Sequence, residues 1–205
     1  MSYKANLWKM NLFMFLRGFQ IFAGILVPFF TKWAGLNYFQ ISLLLTAFTL
    51  SVFLLEIPTG VIADKFGRKT SLILSGFLNA LAIIVYAISP NFYVLLIAEI
   101  IWGLAIALMS GANDALVYDS LIVLGREKES KSILGKFQSF DILAIGIAAP
   151  LGSYLSSIIS LQQVMFISFI GPFLAFIIAL TLKEPPIKKT REKYFVLIKK
   201  GLVLF

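Results

Sequence analysis

Six apolar stretches, each of about the 20 residues that a helix needs to cross a bilayer, dictate what this chain can fold into. They cover residues 7–30, 39–57, 71–88, 92–109 with a mixed continuation to 123, 133–159 and 164–182. Polar or turn-rich breaks separate them at 31–37, 59–70, 89–91, 125–132 and 160–163. A soluble helix of this length carries a polar face at the helical period; residues 71–78 onward and 164–180 carry none. Charge agrees with this: only 14% of residues are charged, against about 25% in ordinary soluble domains. The fold class expected is therefore all-α and membrane-embedded, with six transmembrane helices spanning residues 1–186.

Several chemistries are excluded at once. The chain has no cysteine and no histidine, so thiol catalysis, disulfides, imidazole acid–base work and Cys/His metal centres have no residues to use. No phosphate-binding loop or hydrolase triad is present, so no cofactor, no metal and no enzymatic role is expected. The N-terminus lacks a small-residue cleavage site after its first apolar run, which reads as a retained anchor rather than a signal peptide.

The net charge of +8 is a matter of topology. With the N-terminus placed in the cytoplasm, the inner segments hold Lys4 and Lys9; Lys65, Arg68 and Lys69; Arg126, Lys128, Lys131 and Lys136; and the cluster from Lys183 to Lys200. The outer loops hold Lys32 alone. Basic residues gather on the cytoplasmic side of membrane proteins, so both termini are expected inside a cell membrane and no nucleic-acid partner is needed. Pro185-Pro186 ends the sixth helix. Residues 187–205 read as a basic amphipathic start of a cytoplasmic loop, cut short.

Ionisable residues inside the spans are costly, about 2.5–3.5 kcal/mol each at the bilayer centre on insertion scales, and normally face a cavity or a partner. Arg17 lies near the middle of the first span, Glu99 in the outer half of the fourth and Asp141 about eight residues into the fifth. Glu56, Asp114 and Asp119 sit near inner helix ends, as candidate gate or loop partners. Gln20, Asn79, Asn113 and Gln138 either line a polar path or bind helices together. Trp8, Trp33 and Tyr93 fit an interfacial aromatic belt.

Between the second and third spans lies Gly60-Val61-Ile62-Ala63-Asp64-Lys65-Phe66-Gly67-Arg68-Lys69. A small residue at position 60 permits close helix approach, Asp64 offers a helix-end acceptor that Arg68 or Lys69 can pair with, and Gly67 suits positive φ. This string resembles, position by position, the cytoplasmic signature G-x-[LIV]-A-D-[RK]-x-G-R-[RK] of the major facilitator superfamily. Residues 110–121 also resemble strings in a mostly uncharacterised prokaryotic, drug-exporter-like branch. Two departures stand out. Glu99 occupies helix 4, where many drug exporters carry an arginine, and residues 146–153 only partly echo their G-P-x-x-G-G element.

The resemblance implies an N-terminal six-helix bundle built from two inverted three-helix repeats. It also implies secondary transport of a small solute by alternating access, with proton-coupled efflux or antiport as one form. Gly60, Asp64, Lys65, Gly67, Arg68 and Lys69 would then latch this half against a second half. Arg17, paired with Asp141 or Glu99, would contribute to substrate binding or proton coupling. Expected partners are the lipid bilayer, a small-molecule substrate, protons, and a missing C-terminal half or a second copy. An inactive fragment, a half-transporter that works only when paired, and a non-transporting sensor on the same fold stay open as alternatives.

Overall fold

In the computed structural model, which describes residues 3–186, every regular element is helical. The chain runs α1 (Lys4–Gly18), a 3-10 turn (Ile21–Gly24), α2 (Leu26–Pro28), a π-turn (Phe29–Trp33), α3 (Tyr38–Phe66), α4 (Arg68–Ile88) and α5 (Phe92–Val123). A 3-10 turn (Glu127–Glu129) leads to α6 (Ser130–Leu155), and α7 (Leu161–Ile167) and α8 (Ile170–Leu180) complete the described bundle. Five helical stretches are long and apolar enough to cross a membrane, and a sixth is obtained if the bent segment Lys4–Trp33 is taken as one span. The segment 187–205, expected to be amphipathic, lies outside the described residues.

Local sequence explains where helices start. Asn37 accepts from the Gln40 amide at 2.9 Å while Gln40 Oε1 accepts from the Asn37 amide at 3.0 Å, a reciprocal cap that opens α3. Ser160 and Gln163 repeat the device before α7, and Asn91 caps α5 by accepting from the Tyr93 amide. Two boundaries differ from the sequence expectation. The polar break at 59–70 is almost wholly helical: α3 continues to Phe66 and α4 begins at Arg68, with Gly67 turning the chain at φ 105°. Apolar content marks a bilayer crossing, not the helix, so α3 projects beyond its apolar core.

The first span is the other difference. It reads as continuous in sequence, yet α1 stops at Gly18, and Phe19 (ψ 65°) and Gln20 (ψ 82°) leave helical geometry. A second break follows at Ile25, where Lys4–Gly24 and Leu26–Trp33 bend by 56°. Close packing holds the break. A Cβ on Gly18 would lie 2.7 Å from the Asp141 carbonyl oxygen of α6, and one on Gly171 of α8 would lie 2.7 Å from the Leu16 carbonyl oxygen. Gly152 leaves room for the Ile21 carbonyl, and Gly24 for Ala149. Small residues let membrane helices approach this closely, and here they let α6 and α8 clasp the broken segment.

The helices α4 and α3 pack on α5, with hydroxyls as ties. Thr59, Ser71 and Ser75 donate to the carbonyls of Ala107, Leu108 and Ala105 at 3.0, 2.7 and 2.7 Å. Two apolar cores result. One, at the α3–α4 junction end (the motif end), joins Met10, Phe13, Leu72, Leu116 and Phe137. The other, at the far end, joins Phe22, Ile25, Phe29, Phe30, Tyr86 and Leu95.

Candidate functional site

At the motif end, two helices lack the terminal charge that would suit their dipoles, and neighbours supply it. α4 has no acidic residue in its first turn; Glu184, just past α8, places its carboxylate oxygens on the Arg68 and Lys69 amides at 2.9 and 2.7 Å. A negative charge on free N–H groups at a helix start is favourable. Gly67 makes room, since a Cβ there would sit 3.0 Å from the Glu184 carboxyl carbon. α8 has no basic residue in its last turn; Lys9 of α1 donates to the Thr181 carbonyl at 2.7 Å.

The exit from the sixth span is fastened further. Asn6 Nδ2 donates to the Lys183 carbonyl at 2.8 Å and to Ser120 Oγ at 3.0 Å, and the Lys183 amide donates back to Asn6 Oδ1 at 3.0 Å. Thus residues 181–184 are tied to α1, α4 and α5.

The structure redirects one expectation within the motif. Arg68 pairs with Asp119 of α5 at 2.9 Å rather than with Asp64, and Asp64 lies exposed on the last turn of α3. Geometry explains the switch: Gly67 breaks the helix between Asp64 and Arg68, so their side chains do not share a face. Gly60, where a close helix was expected, has nothing within 4 Å of a built Cβ among the described residues. Lys65 lies with its ammonium 5.3 Å from the Phe66 ring centroid.

Mid-bundle, the structure brings Arg17 to Asp141, Nη1 to Oδ1 2.9 Å, with both side chains largely shielded at 15% and 18% exposure. The pair sits at the break of the first span, in the last turn of α1. Glu99 is elsewhere. It is 1% exposed, and its titratable neighbour is Tyr86 of α4. The other acidic candidates divide: Asp119 is buried with Arg68, whereas Glu56 and Asp114 are exposed, Asp114 accepting from Asn113 Nδ2 at 3.1 Å. Of the amides, Asn79 and Asn113 are buried and Gln138 is exposed.

Three contributors to the motif-end cluster were not singled out in the sequence: Asn6, Lys9 and Glu184. For Glu184 the signal was local, an acidic residue stranded between a helix end and Pro185-Pro186. Asn6 and Lys9 gave none, because the carbonyls they bind, those of Lys183 and Thr181, are more than 170 positions away.

Comparison with known proteins agrees with this architecture. Residues 10–204 match the family model described as Major Facilitator Superfamily. The Quinolone resistance protein NorA of Staphylococcus aureus is 26% identical over 181 residues, covering 86% of this chain and 45% of that protein. An uncharacterized MFS-type transporter, MJ1560, of Methanocaldococcus jannaschii is 23% identical over 186 residues, covering 89% of this chain and 47% of its own length. The chain therefore spans about half the length of the curated relatives it matches. A family match over nearly the whole chain, on an all-helical bundle with the signature at the α3–α4 junction, makes this chain a member of the Major Facilitator Superfamily.

Proposed function

We propose that this chain is the N-terminal six-span half of a secondary transporter that moves a small solute by alternating access, with its motif end in the cytoplasm. The observation that carries this reading is the signature loop. Its Gly67 turn and Arg68 are held by Glu184 and Asp119, while Gly60 and Asp64 face outward with none of the described residues within 4 Å of a Cβ at Gly60. A loop built rigid on one side and left open on the other suits docking of a second six-span unit. The helix α3 supports the same reading, since only 6% of its most apolar window is buried within the bundle.

In this account the first three and last three spans are inverted repeats. Arg17 and Asp141 lie at mid-bundle beside the broken first span, where charges in transporters serve solute or ion. Glu56 and Asp114, exposed on α3 and α5, belong to the inner gate. The relative named for quinolone resistance suggests efflux, with a planar aromatic drug as the first solute to try and protons as the driving ion.

The test is drug flux. Proteoliposomes holding the intact transporter should move a quinolone against its gradient when a pH gradient is imposed, and collapse of the gradient should stop it. A purified six-span chain that carries flux alone as a dimer would favour the self-paired half. No flux of the quinolone or of any other small solute tried, in either form, would overturn the reading.

A further inference from the structure

A cavity of about 330 Å³ opens at the far end of the bundle, between the end of α4 and the start of the sixth span. Ala87, Ile159, Gln162, Gln163, Phe166 and Ile167 line it. Nearer the motif end α4 and α8 are in close contact, since a Cβ on Gly76 would lie 2.8 Å from Phe176 Cα. At the far end a wedge separates α4 from α7, and Gln162 Nε2 bridges it by donating to the Ala87 carbonyl at 2.8 Å. That carbonyl belongs to the last turn of α4, where it has no partner within the helix.

The wedge is apolar apart from its two amides. Gln163 Oε1 accepts from the Ser160 amide at 3.0 Å and from the Ser160 hydroxyl at 3.1 Å, so its Nε2 is the group left to donate. No charged residue lies between positions 70 and 98 or between 161 and 182, the stretches that form these walls. From Phe166 an exposed apolar stripe continues through Ile170, Phe173 and Ile177 along one face of the sixth span. From 166 to 177 the rise is about 16 Å, close to one leaflet of a hydrocarbon core about 30 Å thick. A buried water needs two to four polar partners, which the apolar floor does not supply. A void left empty forfeits dispersion contacts along its lining.

We propose that this wedge binds one diacyl phospholipid from the leaflet at the far end. One acyl chain enters between Ala87 and Phe166 and follows the exposed stripe toward mid-bilayer, while the Gln162 and Gln163 amides donate to the ester carbonyls. Ester oxygens accept and do not donate, which matches an amide rim with donors to spare. They also lie at the depth where chain meets headgroup, the level at which the Ser160 cap starts the sixth span. A fatty-acid carboxylate fits less well, because no cation lines the wedge to offset its charge. Recognition therefore falls on chain and ester rather than on headgroup charge. The site uses neither the signature loop nor the Arg17–Asp141 pair, so it stands apart from the transport reading.

Native mass spectrometry of the delipidated 205-residue chain in mild detergent, titrated with dioleoyl phosphatidylethanolamine, tests this. One lipid should bind at least tenfold more tightly than the next, and phosphatidylglycerol with the same chains should bind equally well. The ether-linked analogue, which lacks the ester carbonyls, should bind the unaltered chain at least threefold more weakly. Ile159→Trp, which fills the wedge, should weaken the first binding step at least fivefold. Leu143→Trp, on the exposed face of α6, should leave that step unchanged. The ether comparison decides the matter even if Ile159→Trp fails to assemble. Graded binding with no distinct first step, or equal affinity for ester and ether lipids, would overturn the proposal. Displacement of the lipid by an equimolar quinolone would overturn it too, by making the wedge a solute site.

Discussion

Arg17 and Asp141 show how a single pair governs the middle of a bundle with little water to share. Their 2.9 Å contact is largely shielded, so removing one partner strands the other. Arg17→Ala should destabilise the bundle by about 3–5 kcal/mol, the usual cost of orphaning a buried charge. The double variant Arg17→Ala/Asp141→Ala should recover much of that loss, measured by thermal unfolding in detergent. Glu184→Gln acts at the surface instead, weakening the anionic cap on α4 by about 1 kcal/mol. Hydrogen exchange should report it as faster exchange confined to the Arg68 and Lys69 amides. Residue identity made the mid-span charges conspicuous in the sequence, and the sequence narrowed the partner of Arg17 to Asp141 or Glu99. It did not reveal that Arg68 would choose Asp119, because that choice follows from the turn at Gly67 and the register of α5.

At the scale of elements, helix positions were legible because apolar length is a direct readout of bilayer crossing. The broken first span was not. No proline lies at residues 19–20, where α1 ends against the close contacts of Gly18, Gly152 and Gly171 on three different elements; the 56° bend after Gly24 does carry a local signal, Pro28, which has no N–H for the Gly24 carbonyl. Gly171→Ala should therefore cost about 1–3 kcal/mol through overpacking against the Leu16 and Phe19 carbonyls. Gly146→Ala, which meets nothing within 4 Å, should be neutral or stabilise by about 0.4–1 kcal/mol. Equal effects of the two changes on thermal unfolding would show that the clasp is not what holds the break.

For the whole molecule, the asymmetry between a fastened motif end and an open Gly60 face sets the expectation for assembly. Gly60→Leu should leave unfolding of the six-span bundle unchanged, since none of the described residues lies within 4 Å of a Cβ there. In the intact transporter it should slow flux at least tenfold by obstructing the docked second unit. The family was readable from ten consecutive residues, whereas the solute was not. Relatives of this chain run to about twice its matched length, and a site shared between two halves leaves only half its residues here. The central claim, that this half works within an alternating-access carrier, is tested most directly by counterflow. Proteoliposomes containing the intact transporter and preloaded with unlabelled drug should transiently accumulate labelled drug above equilibrium, because a carrier must return through its opposite-facing state. Simple equilibration of label, with no overshoot at any internal drug concentration, would contradict it.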